Sequence, residues 1–307
     1  MSSIKIAASI ICLGTGKDAE NLRRCLKTVV PYVNATFITI AGSKEEIGET
    51  EKVCKEFKAN ISYNQPFWTV TKEACEWLTT FLGYEPHMKI GDRLFLFDEA
   101  RNFNFSQIPK EYELILWIDT DDILIGGENL WKLKEIAEQA NIDAFLLKYI
   151  YLATFDKNNS VKDILIEHIR ERVVRNGMFK WIAPIHEVLT EINPTTKTYV
   201  EDCVILHLIN MGHIARGIER NMKNLEYAVY QSGGIDPRHT YNLAKGYIDI
   251  KNPEYSEKAI PLINAFLWGE YQSEWPEERA EACEYLCNIY KDRGELNYAI
   301  KACMLAL

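Results

Sequence analysis

The sequence predicts an α/β domain followed by an all-α domain, and three observations predict it. The stretch IKIAASIICL, Ile4 to Leu13, is β-branched and almost wholly apolar, as a strand covered on both faces of a parallel sheet must be. The stretch ELILWIDTDDIL, Glu113 to Leu124, is an apolar run that closes on three aspartates. From about residue 214 onward the apolar spacing turns helical throughout, with Asp or Gly at the breaks between segments.

The elements follow in order. In AENLRRCLKTVVPYV, Leu22, Cys25, Leu26 and Val29 recur at helical spacing until Pro31 ends the helix. ATFITIAG then reads as a second strand, so strand, helix and strand form a right-handed parallel crossover. EEIGETEKVCKEFKA is a helix, NISYNQP a weak third strand, and residues 67 to 100 an irregular, aromatic-rich connection. ARNFNFSQIP is a short helix and YELILWIDT a central strand, whose carboxyl end is where open α/β sheets place ligands. NLWKLKEIAEQA is helical, DAFLLKYIYLATF strand-like, and IEHIRERVVRNG and FKWIAPIHEVLTEI are further strands and turns. TYVEDCVILHLI closes this half, giving a domain of residues 1–213. In the remaining part, 214–307, helix pairs recur, and EYLCNIYKDRGELNYAIKACMLAL resembles a tetratricopeptide repeat. An uncapped last repeat exposes apolar surface, so the sequence reads as trimmed from a longer chain.

Composition narrows the function classes. A net charge of −9, from 44 acidic and 35 basic residues, gives no support to nucleic-acid binding, although a local basic groove is compatible with it. The eight cysteines contain no CxxC pair and several lie in apolar patterns, the habit of free thiols in a reduced, cytoplasmic protein. The N-terminal apolar run is about a dozen residues, shorter than the ~20 of a membrane span, so no membrane insertion is expected.

Two familiar motifs fail on inspection. GTGKDA follows the first strand as a dinucleotide fingerprint would, but the second strand ends in Thr39, Ile40, Ala41 and Gly42 without the acidic residue that holds ribose hydroxyls. Gly14 and Gly16 are better read as shaping a turn. Asp119 and Asp121 are spaced like calcium-loop ligands, but the fifth and sixth positions are Ile123 and Leu124.

In extended backbone Asp119 and Asp121 share one face and Asp122 takes the other. Like charges on one face are most easily tolerated around a divalent cation, and hard carboxylate oxygens suit Mg²⁺ or Mn²⁺. The alternative is a solvated turn whose aspartates cap the next helix.

The block ARNFNFSQIPKEYELILWIDTDDIL resembles the centre of family 2 glycosyltransferases with the GT-A fold, in which Ala-Arg-Asn, a short helix and an apolar strand lead to Asp-x-Asp. ENLRRCLKTVVPYV resembles the family's first helix, AGSKEEIGET its Gly-Ser loop, and a tetratricopeptide-like extension occurs in one branch. The resemblance implies a Rossmann-like mixed sheet with flanking helices, followed by the helical extension. It also implies inverting transfer of a sugar from a nucleotide diphosphate sugar, a UDP-sugar foremost, to an acceptor hydroxyl. The acceptor would be a protein, peptide or other macromolecule, since stacked repeats form concave binding surfaces.

The family pattern places Asp119 on the nucleotide, Asp121 on the metal, Arg101 on the diphosphate or the aspartates, and Gly42 and Ser43 in the donor loop. WIAPIHEVL matches the segment with Ile-His-Glu, making Glu187 the candidate base, with Asp122 its rival. His207 in VILHLINMGH matches a family histidine near the metal, with MGH read as a loop over the site. Two departures stand out. GTGKDA replaces the Lys-Asn-Glu that touches the base, and Ile40 and Ala41 occupy the place of an aspartate, with Asp18 or Glu45 as possible substitutes. A repeat scaffold that has lost activity and a metal-dependent nucleotidyltransferase are the competing readings.

Overall fold

The computed structural model describes residues 4–14, 16–42, 47–157, 161–208, 211–270 and 275–306, with backbone only for 16–17, 211–216 and 306. In chain order the first elements are β1 (Ile6–Cys12), α1 (Gly16–Val29), β2 (Ala35–Ala41), α2 (Gly48–Glu56) and β3 (Asn60–Asn64). Next come β4 (Phe67–Thr69), α3 (Lys72–Leu82) and β5 (Arg93–Phe95), then α4 (Phe97–Ser106), β6 (Leu114–Trp117), β7 (Asp122–Ile125) and α5 (Leu130–Ala140). The strands β8 (Ala144–Phe155), β9 (Val161–Arg175), β10 (Phe179–Ile182), β11 (Val188–Glu191) and β12 (Lys197–His207) follow. The chain ends in α6 (Met211–Gln231), α7 (Pro237–Asp249), α8 (Pro253–Trp268), α9 (Pro276–Asp292) and α10 (Leu296–Ala306). It divides into two compact units, one of Met1–Pro66 with Phe97–Asn210, the other of Phe67–Leu96 with Met211–Leu307.

The first unit is built on an eight-stranded mixed sheet of order β3-β2-β1-β6-β9-β8-β12-β7. The half from β3 to β6 is parallel, while β9 runs antiparallel to both β6 and β8. Period-2 alternation explains why the central strands read as unbroken apolar runs. Ile6, Ala8 and Ile10 of β1, with Leu114 and Leu116 of β6, face a core shared with Leu22, Leu26 and Val29 of α1 and Leu130 and Leu133 of α5. Ala7 and Ile115 face the other way, with Phe37, Ile108, Val174 and Phe179. Each fully buried Ile or Leu contributes about 1.5–3 kcal/mol, so covering both faces is what selects these residues. Gly14 does shape a turn: its φ is +82°, and a Cβ there would meet Ile47 Cγ2 at 2.8 Å.

On the second face α4 is pinned by a polar side chain. Asn104 donates to Thr39 Oγ1 at 2.8 Å and to the Phe37 and Ile10 carbonyls, and accepts from Ser9 Oγ at 2.5 Å. Every one of these groups is buried, so the network fixes α4 against β1 and β2 in one register.

In the second unit, the aromatic-rich stretch that reads as irregular in the sequence contains α3. Ala74, Leu78 and Leu82 repeat every four residues on its buried face. Thr71 caps the helix by accepting from the Ala74 amide, and Gly83 ends it at φ 80°. Trp77 and Phe81, stacked at 5.0 Å on the same helix, obscure that period in the sequence. The fully buried Glu226 of α6 accepts from the His87 and Met88 amides at 2.7 and 2.8 Å and from His87 Nδ1 at 2.9 Å. Asp236 and Asn252 cap α7 and α8, each with proline in the first turn. α7 packs chiefly with α8, and α9 with α10. None of the described helices is long and apolar enough to cross a membrane.

Candidate active site

The site is assembled where β6 ends. The extended run stops at Trp117, and residues 119–121 form a turn in which the Asp122 amide donates to the Asp119 carbonyl at 3.1 Å. This corrects the extended reading of the three aspartates: β7 begins at Asp122 and lies not beside β6 but at the far edge of the sheet, against β12. Asp119 and Asp121 therefore do not share a strand face. The β7–β12 register places Asp122 directly opposite His207, the closeness of a cross-strand pair. The Leu208 amide closes the arrangement by donating to the Asp121 carbonyl at 2.8 Å.

Arg101, one turn before Asn104 on α4, is 8% exposed and reaches two carboxylates. Its Nη2 donates to Asp119 Oδ1 and its Nε to Glu187 Oε1, each at 2.8 Å. The guanidinium also lies over the rings of Trp117 at 5.2 Å and Trp181 at 4.8 Å. Asn102 brings Trp181 into place by holding its backbone from both sides, at 2.8 and 2.9 Å. Ala-Arg-Asn thus aims one side chain at the acidic turn and the next at β10.

Glu187 leaves a tight turn in which Ala183 and His186 have positive φ, 74° and 51°. Left-handed backbone costs a non-glycine residue about 1–2 kcal/mol, and here it turns the chain so that Glu187 meets Arg101. The glutamate lies in the β10–β11 connection, not within a strand.

The second half of the site is more deeply enclosed. Asp122 is 0% exposed and Arg172 is 1% exposed, and Arg172 Nη1 donates to Asp122 Oδ2 at 3.3 Å. His207 Nδ1 lies 2.9 Å from Asp122 Oδ1 and 3.7 Å from Asp121 Oδ1. One ligand atom from each of Asp121, Asp122 and His207 falls within 4.8 Å of the others, the compactness that one divalent cation requires. Two carboxylates and an imidazole could hold a divalent cation, and the side chain of Asp121 is 39% exposed.

The charges of the cluster bias one another. Burial pushes Asp121 up to about 6, with Asp119 and Asp122 adding like charge against the pull of His207. Burial also opposes ionisation of Asp119, but Arg101 and then Arg172 hold it below the usual carboxylate range. Burial disfavours the imidazolium of His207, yet its hydrogen bond to Asp122 and the charges of all three aspartates lift it above the ordinary value.

The structure thus brings together Arg101, Asp119, Asp121, Asp122, Glu187 and His207. Gly42 lies at the end of β2, its carbonyl accepting from Gln65 Nε2 at 3.0 Å. Ser43 and Glu45 lie outside the described residues. Met211 and Gly212 begin α6 and are not a loop, which corrects the reading of MGH. The sequence reading missed Arg172, Tyr149 and the tryptophan pair. Arg172, one of three arginines in RERVVRNG, carried no local signal, because its neighbours come from sheet pairing.

No family model matches the chain, and no curated protein matches it. Among solved structures, it is similar to S. aureus TarS 1–349 at TM-score 0.41 and 9% identity, over 99% of this chain and 89% of that one. Against the longer TarS structure the chain spans about half, 54%, of that chain. It is also similar to 4-diphosphocytidyl-2C-methyl-D-erythritol synthase from Anaerococcus prevotii at TM-score 0.31 and 16% identity, over 57% of this chain and 72% of that one. With TM-scores this low, neither likeness assigns an activity to this chain.

Proposed function

We propose that the chain is a metal-dependent, inverting glycosyltransferase of the family 2 type, taking a sugar from a nucleotide diphosphate sugar, a UDP-sugar foremost. The observation that carries this reading is the joining, through Arg101 and the turn at 119–122, of a carboxylate pair to an Asp-Asp-His cation cluster at the end of a central strand. In this reading Asp121 and His207 hold Mn²⁺ or Mg²⁺, and Asp119 faces the nucleotide with Gly42 and Ser43. When bound, the cation would neutralise the departing diphosphate.

The protein's own groups do the rest. Glu187 takes the proton from the acceptor hydroxyl as that oxygen attacks the anomeric carbon opposite the leaving group. What favours Glu187 over its rival Asp122 is burial, since Asp122 is sealed from solvent and has a partner on each oxygen. Of the two roles open to Arg101, the hydrogen bonds favour holding Asp119 and Glu187 at a fixed separation. The helical part, from about residue 214, would recruit a macromolecular acceptor as a tetratricopeptide-like surface.

The reading is tested by adding UDP with Mn²⁺ and following thermal unfolding. A ligand at 100 times its Kd adds about 2.7 kcal/mol, a rise of several degrees. No shift with any nucleoside diphosphate contradicts the reading. Release of inorganic diphosphate from a nucleoside triphosphate would replace it with a nucleotidyltransferase.

A further inference from the structure

We infer that Cys287 and Cys303 form a reversible disulfide that staples α10 to α9, closed by exchange with a small-molecule disulfide such as oxidised glutathione. The pair belongs to the second unit and takes no part in the transfer proposed above.

Helical spacing brings the two thiols face to face. α9 ends at Asp292, and a turn at Arg293 and Gly294, the latter at φ +75°, leads into α10. Ala299, Ala302 and Cys303 are spaced to share one face of α10, as Cys283, Leu286, Cys287 and Tyr290 are on α9. Two contacts bring those faces together in antiparallel order. Near the turn the Tyr290 and Tyr298 rings meet at 5.4 Å, and further from it the Sγ atoms of Cys287 and Cys303 lie 2.6 Å apart. A disulfide needs about 2.05 Å, so the remaining gap of roughly half an ångström is within reach of side-chain rotation.

The rest of α10 shows what the bond would add. Of its described side chains only Ala299 and Ala302 are buried, one methyl apiece, whereas Leu296, Tyr298, Ile300, Met304 and Leu305 are more than half exposed. Packing alone therefore holds this helix weakly. A covalent link to α9 removes the frayed states of α10 and leaves the folded helix pair as it is.

Access decides which thiols react. Cys303 is exposed and Cys287 half-buried, while Cys12, Cys25, Cys54, Cys203 and Cys283 are buried. Cys75, half-buried as well, donates to the Met88 carbonyl at 3.7 Å. The Cys303 thiolate attacks one sulfur of the small disulfide and expels the first small thiolate; Cys287 then loses its proton and attacks the Cys303 sulfur, expelling the second. The protein pair gives up two electrons and two protons, and the small disulfide becomes two small thiols. In a reducing compartment such a bond is transient, and its closure reports an oxidising shift.

The test is to incubate the native full chain with oxidised glutathione, block the remaining thiols with iodoacetamide and map the tryptic peptides. The expected product joins AEACEYLCNIYK, through Cys287 and not Cys283, to ACMLAL, and dithiothreitol reverses it. Hydrogen exchange of the α10 amides is expected to slow by about tenfold or more on oxidation in the wild type, and not in Cys303→Ser. Cys287→Ser should stop at a stable glutathione adduct on Cys303. The inference is overturned if Cys287 and Cys303 stay reduced, or if each keeps its own glutathione. It is overturned equally if the bond forms and α10 exchanges no more slowly.

Discussion

Two arginines lie over the indole of Trp117, and they hold different kinds of carboxylate. Arg101 pairs with Asp119 and Glu187, whose side chains are 28% and 15% exposed and so open to a ligand. Arg172 pairs with Asp122, which is wholly enclosed. The first arginine sits at 5.2 Å from the ring and the second at 3.8 Å, so the deeper one is also the more tightly clamped. The difference separates a half of the site that water reaches from a half that is sealed. Charge alone does not distinguish them; access to water does.

The largest expected effect comes from breaking the enclosed half. Arg172→Met takes the arginine away from a wholly enclosed Asp122, and should cost about 3–5 kcal/mol in urea unfolding. A loss below about 1 kcal/mol would mean that the carboxylate finds water or another cation. Arg101→Met should cost less, about 2 kcal/mol, since its carboxylates can turn to solvent, while abolishing measurable turnover.

The same pair sharpens the contrast through pH. Asp119 is held below its ordinary value chiefly by Arg101, against burial. A carboxylate depressed on folding stabilises fully above its unfolded pKa, about 3.9, and that contribution disappears as the pH falls through the lower folded value. The gap in unfolding free energy between wild type and Arg101→Met should therefore be level above about pH 4 and narrow below it. A gap that instead narrows toward alkaline pH would assign the coupling to another group. The smallest effect is expected from Tyr149→Phe, which removes a 3.4 Å donor to Asp122 and should cost at most about 1 kcal/mol.

The order of motifs made Asp119, Asp121, Arg101, Glu187 and His207 legible in the sequence, and the structure brings them together. How the enclosed side is held was not legible. That Asp122 faces His207 depends on β7 crossing to the far edge of the sheet, and that Arg172 faces Trp117 depends on a bulge in β9. Neither is encoded in the spacing of nearby residues. The same holds for α3, whose period was masked by Trp77 and Phe81, and for the division of the chain, which joins Phe67–Leu96 to the helical unit across more than one hundred intervening residues.

The central claim is tested most directly by incubating the protein with a panel of nucleotide sugars and Mn²⁺ and identifying the nucleotide released. The account predicts release of the nucleoside diphosphate from one donor class, dependent on the cation. It also predicts a loss of about 10³-fold in Asp121→Asn, the several kcal/mol that a leaving-group cation supplies. Equal release by wild type and Asp121→Asn, or none from any donor, would contradict it.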